Sequence, residues 1–372
     1  MDDDEHLYMS VEKKLKVYSI VQITSATVSI LASATLIVMI CRSHQKLSTP
    51  FHRLLLGLSI ADIIASLAMS FASTLSPPDH LGWNGFGNMS LCRAQGFIVF
   101  FAHNASPLYN CSLCLYYLIE IKYTQLKAHM HKIEVFLHSM PILIPLAACI
   151  SILALDGFQP STTNCYVSAF SPFECRFDPE VECDEGLKDN RVLSFLWLIH
   201  SCIIIPVVIL VSMLVIYREV AVQERRNNQH RFSFTSTSFR EASSHSRTSI
   251  AARNRATAYS LSWFLSWSAF FAIIFIKVVL ADEHMMPFLL NLANHLLHPL
   301  QGLFNFIVYL HPKIQNRLRH YKRGGVAQPQ RLLLALRDSL VSRGRPPTTR
   351  GGNLQRGTIP VRRASAMQIN QN

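Results

Sequence analysis

Apolar residues in this chain are gathered into seven long blocks rather than spread in amphipathic stripes. The blocks cover approximately residues 18–41, 51–75, 95–117, 133–155, 192–217, 257–280 and 286–310. Each has about the length a helix needs to cross a hydrocarbon core of ~30 Å. Backbone polar groups in lipid must be satisfied within the segment, so blocks of this kind are helices. The pattern predicts an all-α membrane protein, a bundle of seven transmembrane helices. The third and seventh blocks are the least apolar, with His, Asn and Ser among their aromatics, as expected of helices that face a bundle interior. The first block is too long, and starts too late behind acidic residues, to be a signal peptide.

Past the seventh block, Ile314, Leu318 and Tyr321 recur at helical spacing between basic residues. That predicts a short amphipathic helix over 312–323, lying on a membrane surface and ended by Gly324-Gly325. The expected organisation is an outer N-terminal segment (1–17), a membrane domain (18–323) and a basic tail (324–372). The tail reads as disordered apart from an amphipathic patch around 332–340.

Charge supplies the orientation. Half of the residues are hydrophobic and 16% are charged, against roughly 25% in soluble domains. Segments between the spans alternate in sign. One set (1–17, 72–95, 156–192, 281–287) carries 7 Lys+Arg and 16 Asp+Glu, while the other (41–53, 120–134, 218–255, 311–372) carries 27 and 6. Lys and Arg concentrate on the cytoplasmic side, which predicts a plasma-membrane protein with its N-terminus outside and C-terminus inside. The net charge of +12 then reflects segments lying near anionic lipid and calls for no nucleic-acid partner.

Four of the nine Cys fall on the acidic side: Cys92, Cys165, Cys175 and Cys183. Disulfides belong outside the cell, and four Cys allow three pairings. The expected pairing ties Cys92 to Cys165, with Cys175–Cys183 closing a short acidic loop; free thiols are the alternative. Asn88-Met-Ser90 is an accessible glycosylation sequon on that side. On the basic side, the Ser-rich loop 218–255, including Ser243, and the tail Arg362-Arg363-Ala364-Ser365 offer kinase sites, where phosphorylation would reverse the local charge.

Polar groups inside the spans are the candidate functional residues. Asp62 is the one acid within a span, and such a residue is costly in lipid unless it meets partners or water. Asn305 and Tyr309, four apart, share one helix face. A cluster of Asp62, Asn305 and Ser106 would hold a water or a sodium ion and supply the two arrangements a switch needs. Toward the outer side lie His103 and Asn104 in the third span, His200 in the fifth and Trp267 in the sixth. Asn291, Asn294, His295 and His298 occupy the seventh. A pocket lined by His, Asn and Trp suits a polar or anionic small molecule, and packed interhelical contacts are the alternative for each. Pro107, Pro141, Pro145, Pro206 and Pro299 kink their spans. No nucleotide-binding glycine pattern, metal-ligand cysteine cluster or nucleophile elbow is present, so neither an enzyme nor a cofactor is expected.

These features together resemble a G-protein-coupled receptor. Lys46-Leu-Ser-Thr-Pro50 followed by Leu58-Ser-Ile-Ala-Asp62 is similar to the second-helix pattern of that family. Asn305-x-x-x-Tyr309 resembles its Asn-Pro-x-x-Tyr, with Phe306 where Pro is usual. Within receptors, Cys92-Arg-Ala-Gln95-Gly96-Phe97, Leu108-Tyr109-Asn110, Leu115-Tyr116-Tyr117, Tyr259, Trp267 and Pro299-Leu-Gln-Gly-Leu-Phe-Asn305 resemble the cyclic-AMP-receptor-like receptors of slime moulds and their fungal, algal and plant relatives. The resemblance covers about 18–323. It implies an extracellular small-molecule ligand, a heterotrimeric G protein docking near Lys122, Tyr123 and Arg317, and regulation by kinases and arrestin-like proteins. The chain departs from the family in having Glu120-Ile-Lys122-Tyr123 in place of Asp-Arg-Tyr, no first-span Asn and no Cys-Trp-x-Pro in the sixth span. A retinal protein is opposed by the absence of a seventh-span Lys, Pro299 standing where animal opsins carry it. A seven-helix transporter or a membrane sensor independent of G proteins is the alternative function.

Overall fold

The computed structural model describes residues 2–78, 84–161, 163–167, 196, 199–230, 236–279, 288–324 and 328–341. Nine helices run along the described chain, with one small hairpin: α1 (Asp2–Arg42), α2 (Pro50–Ser70), α3 (Met89–Ile121), α4 (Met130–Ala154), β1 (Phe158–Pro160), β2 (Cys165–Val167), α5 (Ile205–His230), α6 (Ser236–Val279), α7 (Phe288–Leu297), α8 (Gln301–Arg323) and α9 (Gln328–Val341). A π-helical turn, His200–Ile204, leads into α5. Helices α1 to α6, with α7 and the first half of α8 as the seventh span, make a helical membrane bundle. Among the described residues five helices are long and apolar enough to cross a membrane alone: those of the first, second, fourth, fifth and sixth spans. The two left over are the third and seventh, the pair whose sequence is least apolar.

Local chemistry sets the ends. Thr49 caps α2, its hydroxyl accepting from the His52 N–H at 3.4 Å, and Pro50 stands where its missing N–H costs nothing. Asn88 caps α3 by accepting from the Leu91 N–H at 2.9 Å. The seventh span breaks at His298-Pro299-Leu300, and α8 restarts at Gln301. The amphipathic helix expected over 312–323 is the second half of α8, which continues through Pro312 from the bundle interior. The amphipathic patch of the tail is α9, which packs on α8.

Large apolar side chains cover the outside, among them Leu31, Leu67, Leu143, Leu214, Leu261 and Ile307. Lipid supplies their surroundings. The interior mixes large apolar side chains such as Trp263 and Leu36 with small and polar residues, which let helices approach closely. On α1, Ser25, Ser29 and Ser33 form a buried stripe of one-turn spacing. Ser25 donates to the His295 carbonyl at 3.1 Å, and Ser29 accepts from the Gly302 N–H at 3.2 Å. Gly302 is needed there, since a Cβ would stand 2.1 Å from Ser33 Oγ and 2.7 Å from Ser29 Oγ.

Cys92 and Cys165 form a disulfide that ties the start of α3 to β2. Gln95 reinforces it, donating to the carbonyls of Ala68 (3.0 Å) and Ala72 (2.8 Å) and accepting from the Cys165 N–H (3.2 Å). The antiparallel hairpin pairs Gln159 with Tyr166 and lays Tyr166 against Phe100 and His103. Cys175, Cys183 and Ser365 lie outside the described residues, and the side chains of Ser243 and Lys277 are likewise not among those described.

Candidate functional site

The carboxylate of Asp62 stands at the centre of the bundle, 3% exposed. Ser106 on α3 donates to its Oδ1 at 2.7 Å and Asn305 on α8 donates from Nδ2 to its Oδ2 at 2.8 Å. Asn305 Oδ1 in turn accepts from Ser262 on α6 and from Gln301 on α8, both at 3.2 Å. Ser266, one turn above Ser262, donates to Gln301 Oε1 in a short contact. Four helices therefore meet through side chains alone, and each polar group satisfies the next. Such a network is worth more than its separate pairs, because each bond polarises its neighbours in a low-dielectric interior.

The expected cluster of Asp62, Ser106 and Asn305 is present in this geometry. Tyr309 lies one turn further along α8, buried, with its ring edge-on to His52 of α2. Its hydroxyl has no hydrogen-bond partner among the described residues. Ser262, Ser266 and Gln301 complete the network and were not among the expected site residues. Their signal was there to read: Ser262 and Ser266 are one turn apart, as are Gln301 and Asn305, so each pair presents one polar face.

A cavity of about 20 Å³ opens directly beside Asp62 and Ser106. That is room for one water molecule or one small cation. Its other walls include His103, Trp267, His298 and Gln301. The imidazoles of His103 and His298 are stacked, centroids 4.2 Å apart and planes inclined by 7°. Trp267 packs edge-on against His298 at 4.5 Å, and Tyr166 of the hairpin covers His103. Among the described residues no group of three or more His, Cys, Asp or Glu side chains is placed to hold a metal ion.

The eight expected ligand-binding residues do not share one pocket. His103, Trp267 and His298 meet at the cavity. Asn104 turns to the π-helical turn before α5, where its Oδ1 accepts from Ser201 at 3.3 Å, while its amide donates to the Phe100 carbonyl. His200 lies in the π-helical turn beside Ser201. His295 turns the other way, its Nδ1 3.0 Å from Gln22 Oε1 on α1, and Asn291 is in hydrogen-bonding reach of Tyr18 on α1. Asn294 is partly buried, with its side-chain oxygen unpartnered among the described residues. The physical reason is that α7 is wedged between helices. His295 and His298 are three apart on one turn, the His298 N–H still bonding the Asn294 carbonyl at 3.1 Å, yet His295 meets α1 and His298 meets α3, and the helix breaks only after them.

At the basic end, Lys122 pairs with Glu219 of α5 at 3.2 Å and lies over the Tyr123 ring. Arg317 pairs with Asp338 of α9 at 3.7 Å, and Tyr321 donates to the same carboxylate in a short bond. Those bonds hold the Asp338 carboxyl below the usual carboxylate range. A second, larger cavity of about 880 Å³ lies at this end, between α1, α2, α6, α8 and α9.

The family model described as seven transmembrane receptor (rhodopsin family) matches residues 33–309, from the serine stripe of α1 to Tyr309. No curated protein matches the chain.

Proposed function

This chain belongs to the seven transmembrane receptors of the rhodopsin family, and we propose that it transduces an extracellular small-molecule signal to a heterotrimeric G protein. The observation that carries the reading is the continuity between His103, Trp267 and His298 and the Asp62 network through one shared cavity. A ligand that presses on the stacked imidazoles acts on the same walls that Asp62 and Ser106 form. Any ligand shifts a conformational balance only by its differential affinity for the two states. The network supplies two states, since Asp62 can keep or lose Asn305 and so join or release α2 and α8.

The receptor sits in the plasma membrane with the acidic end outside and the basic end inside. The G protein docks at the basic end, around Lys122, Tyr123 and Arg317. Glycosylation at Asn88 is compatible with its exposed position, because capping occupies Oδ1 and the glycan attaches at Nδ2. Kinases act on Ser243 and Ser365, and arrestin-like proteins follow. Within receptors we place the chain near the cyclic-AMP-receptor-like group on the motifs Cys92-Arg-Ala-Gln95 and Leu108-Tyr109-Asn110; that placement rests on the motifs alone.

The test is guanine-nucleotide exchange on purified G proteins, with the receptor in nanodiscs and cyclic nucleotides, other nucleotides and amino acids as candidates. Exchange that depends on ligand supports the reading. Its absence with every partner, from folded receptor, overturns G-protein coupling.

A further inference from the structure

The cavity at the basic end gathers more cations than Arg317, the one member that the proposed signalling uses. Arg42, His52, Arg255, Lys313 and Arg317 all contribute to its walls, against one acid, Asp338. Its volume of about 880 Å³ lies within the range of small-molecule sites. Lys313 is among its walls, the ammonium 4.0 Å from the centroid of the Tyr309 ring. Among the described residues no carboxylate pairs with it. Burial, and the nearby Arg317 and Arg255 guanidinium groups, push the Lys313 ammonium down to about 8. Three like charges are thus held close together, and the one carboxylate among the cavity walls, Asp338, pairs with Arg317.

Three further side chains of the same walls have unmet hydrogen-bonding capacity. The hydroxyls of Tyr259 and Tyr309 and Nδ1 of His52 have no partner among the described residues. All three residues are more than nine-tenths buried, at 1%, 6% and 7% exposure. Buried polar groups are normally satisfied. Hydroxyl and imidazole groups beside a cluster of cations suit a ligand with several anionic acceptor oxygens.

We propose that this cavity binds a phosphate-bearing anion between Lys313, Arg255 and Arg317, in competition with the carboxylate of Asp338. Phosphate oxygens form charge-assisted bonds with both Lys and Arg, bidentate with Arg. Asp338 already occupies one cation, Arg317, from the rim. An anion that takes Arg317 from Asp338 loosens α9 from α8. Two sources carry this chemistry: the headgroup of a phosphoinositide in the adjoining leaflet, and a free inositol polyphosphate. The choice of source rests on the basic end facing the cytoplasm, as proposed above; the site itself does not.

The experiment uses the full chain in nanodiscs, which expose both faces and so make binding independent of orientation. One arm titrates labelled inositol hexakisphosphate into phosphatidylcholine nanodiscs. A second adds about 5% phosphatidylinositol 4,5-bisphosphate to the lipid and repeats the titration. Lys313→Gln is expected to weaken binding about tenfold, the loss of one charge-assisted bond. Arg319→Gln removes the same charge from an exposed position of α8 outside the cavity and is expected to weaken it less than threefold. Asp338→Asn is expected to tighten it. Displacement of the soluble anion by the lipid assigns the site to a headgroup, and binding unaffected by the lipid assigns it to the free anion. Equal effects of Lys313→Gln and Arg319→Gln would show diffuse surface attraction and overturn the proposal. Absence of binding to both probes would overturn it too, without touching the reading of the chain as a receptor.

Discussion

Asn305 and Asp62, 243 residues apart in sequence, meet across 2.8 Å, the asparagine amide donating to one carboxylate oxygen while Ser106 serves the other. Both oxygens of Asp62 are acceptors in this arrangement, and Asn305 cannot rotate its amide freely, because its own Oδ1 already accepts twice. Asp62→Asn either sets its amide against that of Asn305 or turns it to Ser106, whose hydroxyl must then accept and loses the carboxylate it donated to. An unmet buried donor costs about 1–3 kcal/mol, enough to move a two-state balance by about tenfold or more. Folding and ligand binding are expected to survive, with basal or ligand-driven nucleotide exchange altered at equal surface expression. Unchanged exchange would make Asp62 a structural tie only.

Gly302→Ala tests the contact of α8 with α1. The added Cβ would meet the hydroxyls of Ser29 and Ser33 and stand 3.1 Å from the Ser29 carbonyl, so a backbone has to move. Overpacking of this kind costs about 1–3 kcal/mol, read as a lower unfolding temperature in detergent. Ser33→Ala in the same chain is expected to return part of the loss. Gly324→Ala, where the nearest atom is 3.7 Å away, is expected to change nothing.

The pairing of Cys92 with Cys165 closes a loop of 73 residues in sequence. Removing it is expected to cost about 2–5 kcal/mol and to lower the amount of receptor at the cell surface. Cys92→Ser, Cys165→Ser and the double variant are expected to lose the same amount, as partners in one bond must. A double variant that loses the sum of the two would mean that each cysteine has a different partner.

Docking of α9 on α8 is expected to depend on pH through Asp338. Its bonds from Tyr321 and Arg337, with the charge of Arg317, lower the carboxyl's pKa in the docked state. A depressed carboxylate contributes stability that is whole above its ordinary pKa and is lost as pH falls through the docked value. Spin labels on α8 and α9 are expected to stay close near neutral pH and separate in acid. Asp338→Asn is expected to separate them at every pH in that range; a distance that ignores both pH and the substitution would place the docking elsewhere.

Much of this bundle was legible in the chain because lipid enforces a simple code. Blocks of apolar residues mark spans, and an isolated acid such as Asp62 has to find partners. Ser106 and Asn305 followed from that need. The ligand-facing set was only partly legible. His103, Trp267 and His298 meet, but Asn291 and His295 serve α1, since α7 is wedged between helices and which neighbour each of its faces meets is not written in its own sequence. Gln301, Ser262 and Ser266 escaped notice because serine and glutamine are unremarkable one at a time, and their meaning lies in which helices adjoin. Helix α9 shows the same limit. Its amphipathic pattern was visible around 332–340, yet its contact through Asp338 with Arg317 depends on a fold-back that sequence alone does not record.

The polarity of the third and seventh spans has a consequence for how the protein is made. Neither α3 nor α8 is among the helices long and apolar enough to span unaided, and α7 is apolar but short, so each enters the bilayer at a cost that its neighbours must offset. Helix α3 can lean on α1 and α2, which are already in place when it emerges from the ribosome. The last span arrives to find Asp62 waiting without Asn305. Until then Asp62 has the Ser106 hydroxyl of α3 alone, and the arrival of α8 supplies a donor to its second oxygen. A chain cut short after α6 leaves that oxygen without its donor in the bilayer, so the C-terminal span completes the polar interior as well as the bundle.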